Sequence, residues 1–324
     1  MSPATEYKSW VDQNGTEHSG PVKTNSDHFY VIDCKCCCFK HVVPLPTKYE
    51  LETIYSHEYY AQEKPLYIER YIEDLEWWTD IYSERFERIE EALNGKTGSI
   101  LDVGSGPGLF LATGAKRGWR VKGIEPSLKA ATYSREKLGL DISNVFLTRE
   151  NASSFGGFDA VHMGEVLEHL TDPREMLEIA HGILRPGGVL SLIVPNDFNP
   201  FQEILWHELG YPTWWVAPPH HLNYFDHCSL SSLLTSCGFE IEDSTSTFPI
   251  DIFLLMGESY IGDDSKGREI HKLRKTFDSN LLKGSGKELR RKILLGFSKI
   301  GLGREIDIIC KKTARQDYLA KDEA

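Results

Sequence analysis

Ser99-Ile100-Leu101-Asp102-Val103-Gly104-Ser105-Gly106-Pro107-Gly108 is the stretch from which the fold can be read. Ile100, Leu101 and Val103 flank an acid, and glycines follow at alternate positions. This predicts a buried strand, a tight turn and a helix that starts near Leu109. The glycines let backbone approach a ligand closely, and the helix start offers free N–H groups. A dinucleotide fingerprint, Gly-x-Gly-x-x-Gly, would need its third glycine at position 109, which is Leu. The spacing here is Gly-x-Gly-x-Gly, with Asp102 two residues before the first glycine. A carboxylate there repels pyrophosphate and suits a ligand that has no phosphate and carries positive charge. An ordinary strand-to-helix turn has similar glycines, so the next strand must decide.

Arg120-Val121-Lys122-Gly123-Ile124-Glu125 reads as that strand, and Glu125 lies 21 residues past Gly104. A carboxylate on the tip of the second strand accepts both ribose hydroxyls. S-adenosylmethionine has an ammonium, a sulfonium and no phosphate, and it is the cofactor this pair of acids predicts. Four further segments follow in order. Asn151-Ala152 comes after the apolar run Val145-Phe146-Leu147, which reads as a third strand. Phe158-Asp159-Ala160-Val161 leads into Glu165-Val166-Leu167-Glu168-His169. Leu184-Arg185-Pro186-Gly187-Gly188 precedes the apolar strand from Val189 to Val194.

Over residues 99–248 the chain resembles the class I S-adenosylmethionine-dependent methyltransferases. The resemblance implies an α/β fold: a doubly wound, mostly parallel seven-stranded sheet of Rossmann-like type. Alternation of strands and helices independently argues for such a sheet. It also implies that Asp102, Gly104, Ser105 and Gly106 sit by the methionine moiety and Glu125 by the ribose. Asn151 would reach the adenine amino group, the Ala152 N–H a ring nitrogen, and the loop with Met163 the methyl-bearing end. The family commonly has Asp where Asn151 stands, so this contact keeps an acceptor and loses a charge.

The chain has 324 residues, enough for one large core plus accessory regions. Its formal net charge is -12, which disfavours a nucleic-acid partner. No run approaches the ~18 apolar residues of a membrane span. The first residues lack the apolar core of a signal peptide, so a cytoplasmic location is expected, with the seven cysteines as thiols or metal ligands. The division expected is an accessory region over 1–65 and a methyltransferase domain over 66–248 and 301–313. A helical insertion over 249–300 and a flexible tail over 314–324 complete it.

In the accessory region Cys34 and Cys37 have zinc-knuckle spacing. With Pro44, Pro46 and Tyr59-Tyr60 this segment resembles deoxysugar C-methyltransferases, which implies a zinc-ribbon-like element. A ribbon needs a second Cys-x-x-Cys, and no cysteine precedes Cys34. His18 and His28 are possible stand-ins, so bound zinc and buried reduced thiols both stay open. Between Tyr67 and Leu93, apolar residues recur at helical spacing. Its aromatic stripe reads as core and its acids as a solvated face. In the insertion, Lys266 to Lys292 holds ten Lys/Arg against three acids. That reads as a solvated face or as a surface for an anionic substrate.

Residues 196–228 are rich in aromatics, prolines and histidines and follow a strand's carboxyl end, which predicts a substrate lid. His207, Trp214, Trp215 and His220 are its candidate substrate residues. His221 matches the histidine of the deoxysugar methyltransferases, which makes it the candidate base, with Tyr224 orienting substrate. His169 and His207 are the alternatives. The expected activity is methyl transfer from S-adenosylmethionine to a hydroxyl or activated carbon of a small molecule, such as a nucleotide-linked sugar or secondary metabolite. The competing readings are a nicotinamide-dependent oxidoreductase, opposed by Asp102 and Leu109, and a non-catalytic S-adenosylmethionine-binding module that holds a protein partner.

Overall fold

The computed structural model describes residues 6–12, 15–54 and 66–313. The tail beyond residue 313 and the pair Tyr59-Tyr60 lie outside them. The chain opens with four antiparallel strands, β1 (Tyr7–Val11), β2 (Glu17–Ser26), β3 (Phe29–Asp33) and β4 (Lys40–Val43). Short α1 (Lys48–Thr53) follows, opened by a Thr47–Glu50 capping box. The helical run after residue 66 is two helices, α2 (Tyr67–Glu73) and α3 (Leu75–Ala92), with the buried Asp74 at the break.

Strands and helices then alternate: β5 (Ser99–Val103), α4 (Leu109–Lys116), β6 (Arg120–Ile124), α5 (Leu128–Leu138), β7 (Ile142–Ser143), β8 (Phe158–Gly164), α6 (Pro173–Ile183) and β9 (Leu184–Pro195). All five residues of β5 are buried, as a central strand covered on both faces requires. α5 ends on Gly139 in the left-handed region, and Asp172 caps α6 by accepting from the Glu175 N–H. The third strand is Ile142–Ser143, so the apolar run 145–147 is loop rather than strand. After α7 (Pro200–His207), β10 (Asn223–Tyr224) and α8 (His227–Ser236), the chain closes the large sheet with β11 (Phe239–Ser246) and, after an insertion, β12 (Glu305–Lys312).

The large sheet has seven strands in the order β11-β12-β9-β8-β5-β6-β7, and only β12 runs antiparallel to its neighbours. This is the expected doubly wound sheet. One face packs on α6 and α8 and the other on α3 and α4. Gly114 permits the second contact, since a Cβ there would come within 2.4 Å of the Phe86 ring. Among the described residues no helix is long and apolar enough to cross a membrane.

Two segments differ from their sequence reading. β10 pairs with β4, so the five-stranded order is β1-β2-β3-β4-β10. The region 196–228 therefore completes the small sheet. Phe198, Trp215, Leu222 and Tyr224 form a core with Phe29, Val31 and Val42, and Trp206 and Trp214 pack against it. The insertion forms α9 (Ile252–Leu255), α10 (Asp264–Leu281) and α11 (Gly286–Lys299). Its basic residues dock on the acids of α2 and α3: Arg268 on Glu73, Lys275 on Asp74, Lys287 on Glu87, Arg290 on Glu84 and Arg291 on Glu91. The acidic and basic faces are one another's partners, and much of neither is left to solvent alone.

Candidate functional site

Parallel pairing of β5 with β6 sets Asp102 opposite Gly123, so their carboxyl ends finish side by side. The turn after β5 is tied to β6 by the Gly104 and Ser105 N–H groups, which donate to the Ile124 carbonyl at 2.8 and 3.0 Å. Gly104 has φ +74, and a Cβ there would meet the Val166 side chain at 2.8 Å. Glu125 caps β6, and its two oxygens accept from the Gly106 and Ser127 N–H groups, each at 2.8 Å. The carboxylate thus joins the glycine turn to the start of α5 and keeps lone pairs for further donors. Burial pushes its pKa up to about 7, against the lowering effect of those two N–H groups. Burial, reinforced by the Glu125 charge, also raises the Asp102 carboxyl well above the ordinary range.

Both acids open on one cavity of about 1670 Å³, lined also by Gly104, Ser105, Gly106, Pro126 and the loop 145–150. That exceeds the roughly 300–1,000 Å³ of a single-ligand pocket and leaves room for a second molecule. Two buried carboxylates disfavour a phosphate and favour a cationic ligand with hydroxyl donors. Among the described residues, the Ser105 hydroxyl is buried beside them without a hydrogen-bond partner. These residues fit S-adenosylmethionine.

Other candidates fall elsewhere. The Asn151 side chain accepts from the Thr148 N–H at 2.9 Å and donates to the Phe146 carbonyl at 2.8 Å. The Ala152 N–H donates to the Thr148 carbonyl at 3.0 Å. The groups expected on adenine are spent closing their own loop, because the strand ends at Ser143 and the chain turns early. Phe146, Leu147 and Thr148 line the cavity instead. Alternation along β8 sends His162 and Met163 to opposite faces. His162 lines the cavity, stacked on Phe110 at 3.9 Å, and burial lowers its pKa to about 3. Met163 is fully buried in the core on the other side.

His207, Trp214, Trp215, His220, His221 and Tyr224 are not among the residues that line this cavity. His207 pairs with Glu203 on the outer face of α7 at 3.1 Å. Trp215 and Tyr224 are core residues of the small sheet, and the Tyr224 hydroxyl donates to the His221 carbonyl at 2.9 Å. The reason is the β4–β10 pairing, which turns this segment into the small sheet. His169 does reach the cavity, with its ring 5.0 Å from that of His221. The aromatic stripe of α2 and α3 serves two purposes. Phe86 is core, whereas Tyr67, Tyr71, Trp78 and Tyr82 face the cavity.

A second cluster lies in the small sheet. His18, Cys34, Cys37 and His41 place one ligand atom each within 4.8 Å of the others. His18 Nδ1 lies 3.2 Å from His41 Nε2, 3.3 Å from Cys37 Sγ and 3.8 Å from Cys34 Sγ. Bonds of about 2.05 Å to nitrogen and 2.3 Å to sulfur give tetrahedral edges of about 3.3–3.8 Å, so the donor set fits zinc. His41 Nδ1 is 2.9 Å from the Val42 carbonyl, and His18 Nε2 is 3.6 Å from Asp12, the outer contacts that orient metal-binding imidazoles. Of the two stand-ins, His18 joins the cysteines, while the His28 ring lies tilted against Phe29. His41 was not recognised as a ligand from sequence. Its signal is the β3–β4 hairpin register, which sets it opposite Ile32, two residues before Cys34.

Residues 75–244 match the family described as "Methyltransferase domain". A ubiquinone biosynthesis O-methyltransferase from Caulobacter vibrioides is 35% identical over 131 residues, 38% of this chain and 51% of that protein. One from Caulobacter sp. is 33% identical over 153 residues, 44% of this chain and 60% of that protein. The chain thus spans about half the length of the curated relatives it matches. A solved structure, a SAM-dependent methyltransferase from Archaeoglobus fulgidus, is 17% identical with a TM-score of 0.46, covering 75% of this chain and 99% of that one.

Proposed function

The chain belongs to the methyltransferase-domain family, and on that premise we propose that it transfers a methyl group from S-adenosylmethionine to an oxygen of a small molecule. The observation that carries this reading is the pair Asp102 and Glu125, buried at adjacent strand tips on one cavity. Bound there, S-adenosylmethionine supplies a methyl group on a positively charged sulfur. Asp102 and the glycine turn hold the cationic methionine end, and Glu125 accepts from the ribose hydroxyls. The Phe146–Thr148 loop encloses the adenine. The acceptor lies against the aromatic wall of Tyr67, Tyr71 and Trp78, where stacking favours a flat or apolar body. The wall and the turn together orient acceptor and methyl in line, which removes part of the entropic barrier. An oxygen acceptor is supported by the name of the curated relatives. A nucleotide-linked sugar stays within the proposal, since Arg70 and Arg274 also line the cavity.

The small sheet holds a structural zinc ion in this reading. The test is titration calorimetry with S-adenosylhomocysteine and with NAD, followed by labelled cofactor offered to phenolic and nucleotide-sugar acceptors. Binding of S-adenosylhomocysteine and label transfer to an acceptor oxygen are expected. Tight NAD binding in its place would sink the proposal.

A further inference from the structure

Arg274 stands apart from the other basic residues that the insertion turns toward α2 and α3. Arg268, Lys275, Lys287, Arg290 and Arg291 each meet a carboxylate on those helices. Arg274 is 9% exposed, and its Nε is buried with no hydrogen-bond partner among the described residues. Its ion pair among them is with Glu305 at 3.7 Å, beyond hydrogen-bond reach. Glu305 also serves Arg304, together with Asp251 and Asp197. The other acids of this wall are engaged. Asp74 faces Arg268, His271 and Lys275, and Asp264 pairs with Arg70 at 2.7 Å. A guanidinium withdrawn from water with a donor unmet is costly unless a ligand supplies the acceptor.

The group is also held in place. Its Cζ lies over the Trp77 ring, 5.2 Å from the centroid, and the Trp77 indole N–H donates to Asp278 at 3.2 Å. Stacking fixes the guanidinium plane, and a fixed planar fork matches the oxygens of a carboxylate or a phosphate. Arg274, Trp77 and Glu305 line the same cavity as Asp102. Glu305 stands opposite Pro195 at the carboxyl end of β9. The order β12-β9-β8-β5 places it three strand steps, about 14 Å, from the strand of Asp102.

We infer that Arg274 binds an anionic group, a carboxylate or a phosphoryl group, at the end of the acceptor remote from the methylated oxygen. The span from β5 to β12 takes the methionine end of the cofactor on one side, a ring-sized body in the middle and the anion on Arg274. The acceptor is then a flat acid whose ring lies along the aromatic wall and whose hydroxyl points to the cofactor. Arg274 positions and selects the acceptor and does not touch the reacting atoms. That the bound acid is an acceptor rests on the methyltransferase reading, whereas its binding at Arg274 does not.

The experiment is calorimetry on the full chain loaded with S-adenosylhomocysteine, using two matched pairs of probes. Comparing 3,4-dihydroxybenzoate with catechol tests a carboxylate, and comparing phenyl phosphate with phenol tests a phosphoryl group. The wild-type chain is expected to bind one of the acids at least about tenfold more tightly than its neutral counterpart, the worth of one charge-assisted hydrogen bond. The pair that shows the preference identifies the anion. Arg274→Gln, which keeps a polar stem over Trp77, should abolish the preference and leave the affinity for the neutral compounds unchanged. A merely structural arginine would weaken acid and neutral compound alike. Arg274→Lys, charged but without the fork, should keep only part of the preference. Circular dichroism reports folding, and S-adenosylhomocysteine affinity tests the cofactor site separately; a chain that does not bind it is titrated with the acids alone. No binding of either acid, or no preference over the neutral compound in either pair, overturns the inference. So does an undiminished preference in Arg274→Gln, and if that variant does not fold, Arg274→Lys decides in its place.

Discussion

The Gly106 N–H donates to Glu125 Oε2 at 2.8 Å, so the phosphate-free glycine turn is held by a carboxylate of the neighbouring strand. In the proposed function the residue that shapes the turn also receives the ribose. Replacing it removes two backbone contacts and the ligand contact together. Glu125→Ala is expected to weaken S-adenosylhomocysteine binding by about 1–3 kcal/mol, the cost of a lost charged hydrogen-bond partner. Calorimetry checks this, and unchanged affinity would show that the carboxylate is purely structural.

The same carboxylate makes binding depend on pH. Burial raises the Glu125 pKa from 4.5 to about 7. A raised carboxyl pKa means that the folded chain retains the proton longer than the unfolded chain. Stability contributed by this group is therefore lost as pH rises from 4.5 to about 7 and is constant beyond. Ligand affinity runs the other way, because ribose hydroxyls donate to the ionised form. Affinity for S-adenosylhomocysteine should rise by about tenfold from one unit below the pKa to one unit above it. Glu125→Gln should flatten that rise; a profile equally steep in the variant would assign the titration to another group.

Zinc should depend on four side chains from two strands, β2 and β4, and the turn between β3 and β4. Elemental analysis is expected to find one ion per chain, and Cys34→Ser, Cys37→Ser, His18→Ala and His41→Ala should each lose it. Asp12→Ala, which removes the carboxylate behind His18, should weaken retention by about 10–100-fold in competition with a chelator. His28→Ala should keep the ion. Zinc retained in both histidine variants of the cluster would reject this ligand set.

How far each of these features shows in the sequence depends on the distance over which its signal acts. Asp102, the glycine turn and Glu125 are legible because strand, turn and helix start are local. The seven-stranded sheet follows from the alternation of elements. Cys34 and Cys37 are legible as a pair, but His18 and His41 join them only through strand register. The two-residue β10 leaves almost no periodic signal, so the aromatic segment around it reads as a lid when it is core. The approach of His221 to His169 is hidden for a related reason. It depends on the backbone just before β10 returning to the turn after β8, where the Leu222 N–H donates to the Glu168 carbonyl at 2.7 Å.

The docking of the insertion on α3 supplies the last prediction. Arg290 and Asp278 are 4% and 1% exposed and meet at 2.8 Å, and Arg290 also pairs with Glu84. Asp278 accepts in addition from the Trp77 indole at 3.2 Å. Removing the guanidinium leaves two carboxylates facing one another with little solvent to relieve them. Breaking a buried pair from one side costs about 3–5 kcal/mol, so Arg290→Ala should lower the urea midpoint markedly. Lys292, paired with Glu288 on the outer face, is 69% exposed at its side chain, and Lys292→Ala should leave the midpoint where it is. The contrast separates a clamp from a solvated face. If Arg290→Ala were no more destabilising than Lys292→Ala, the insertion would not be held to α3 by its charges. Ring contacts, such as His271 edge-on to Trp77, would have to carry the attachment.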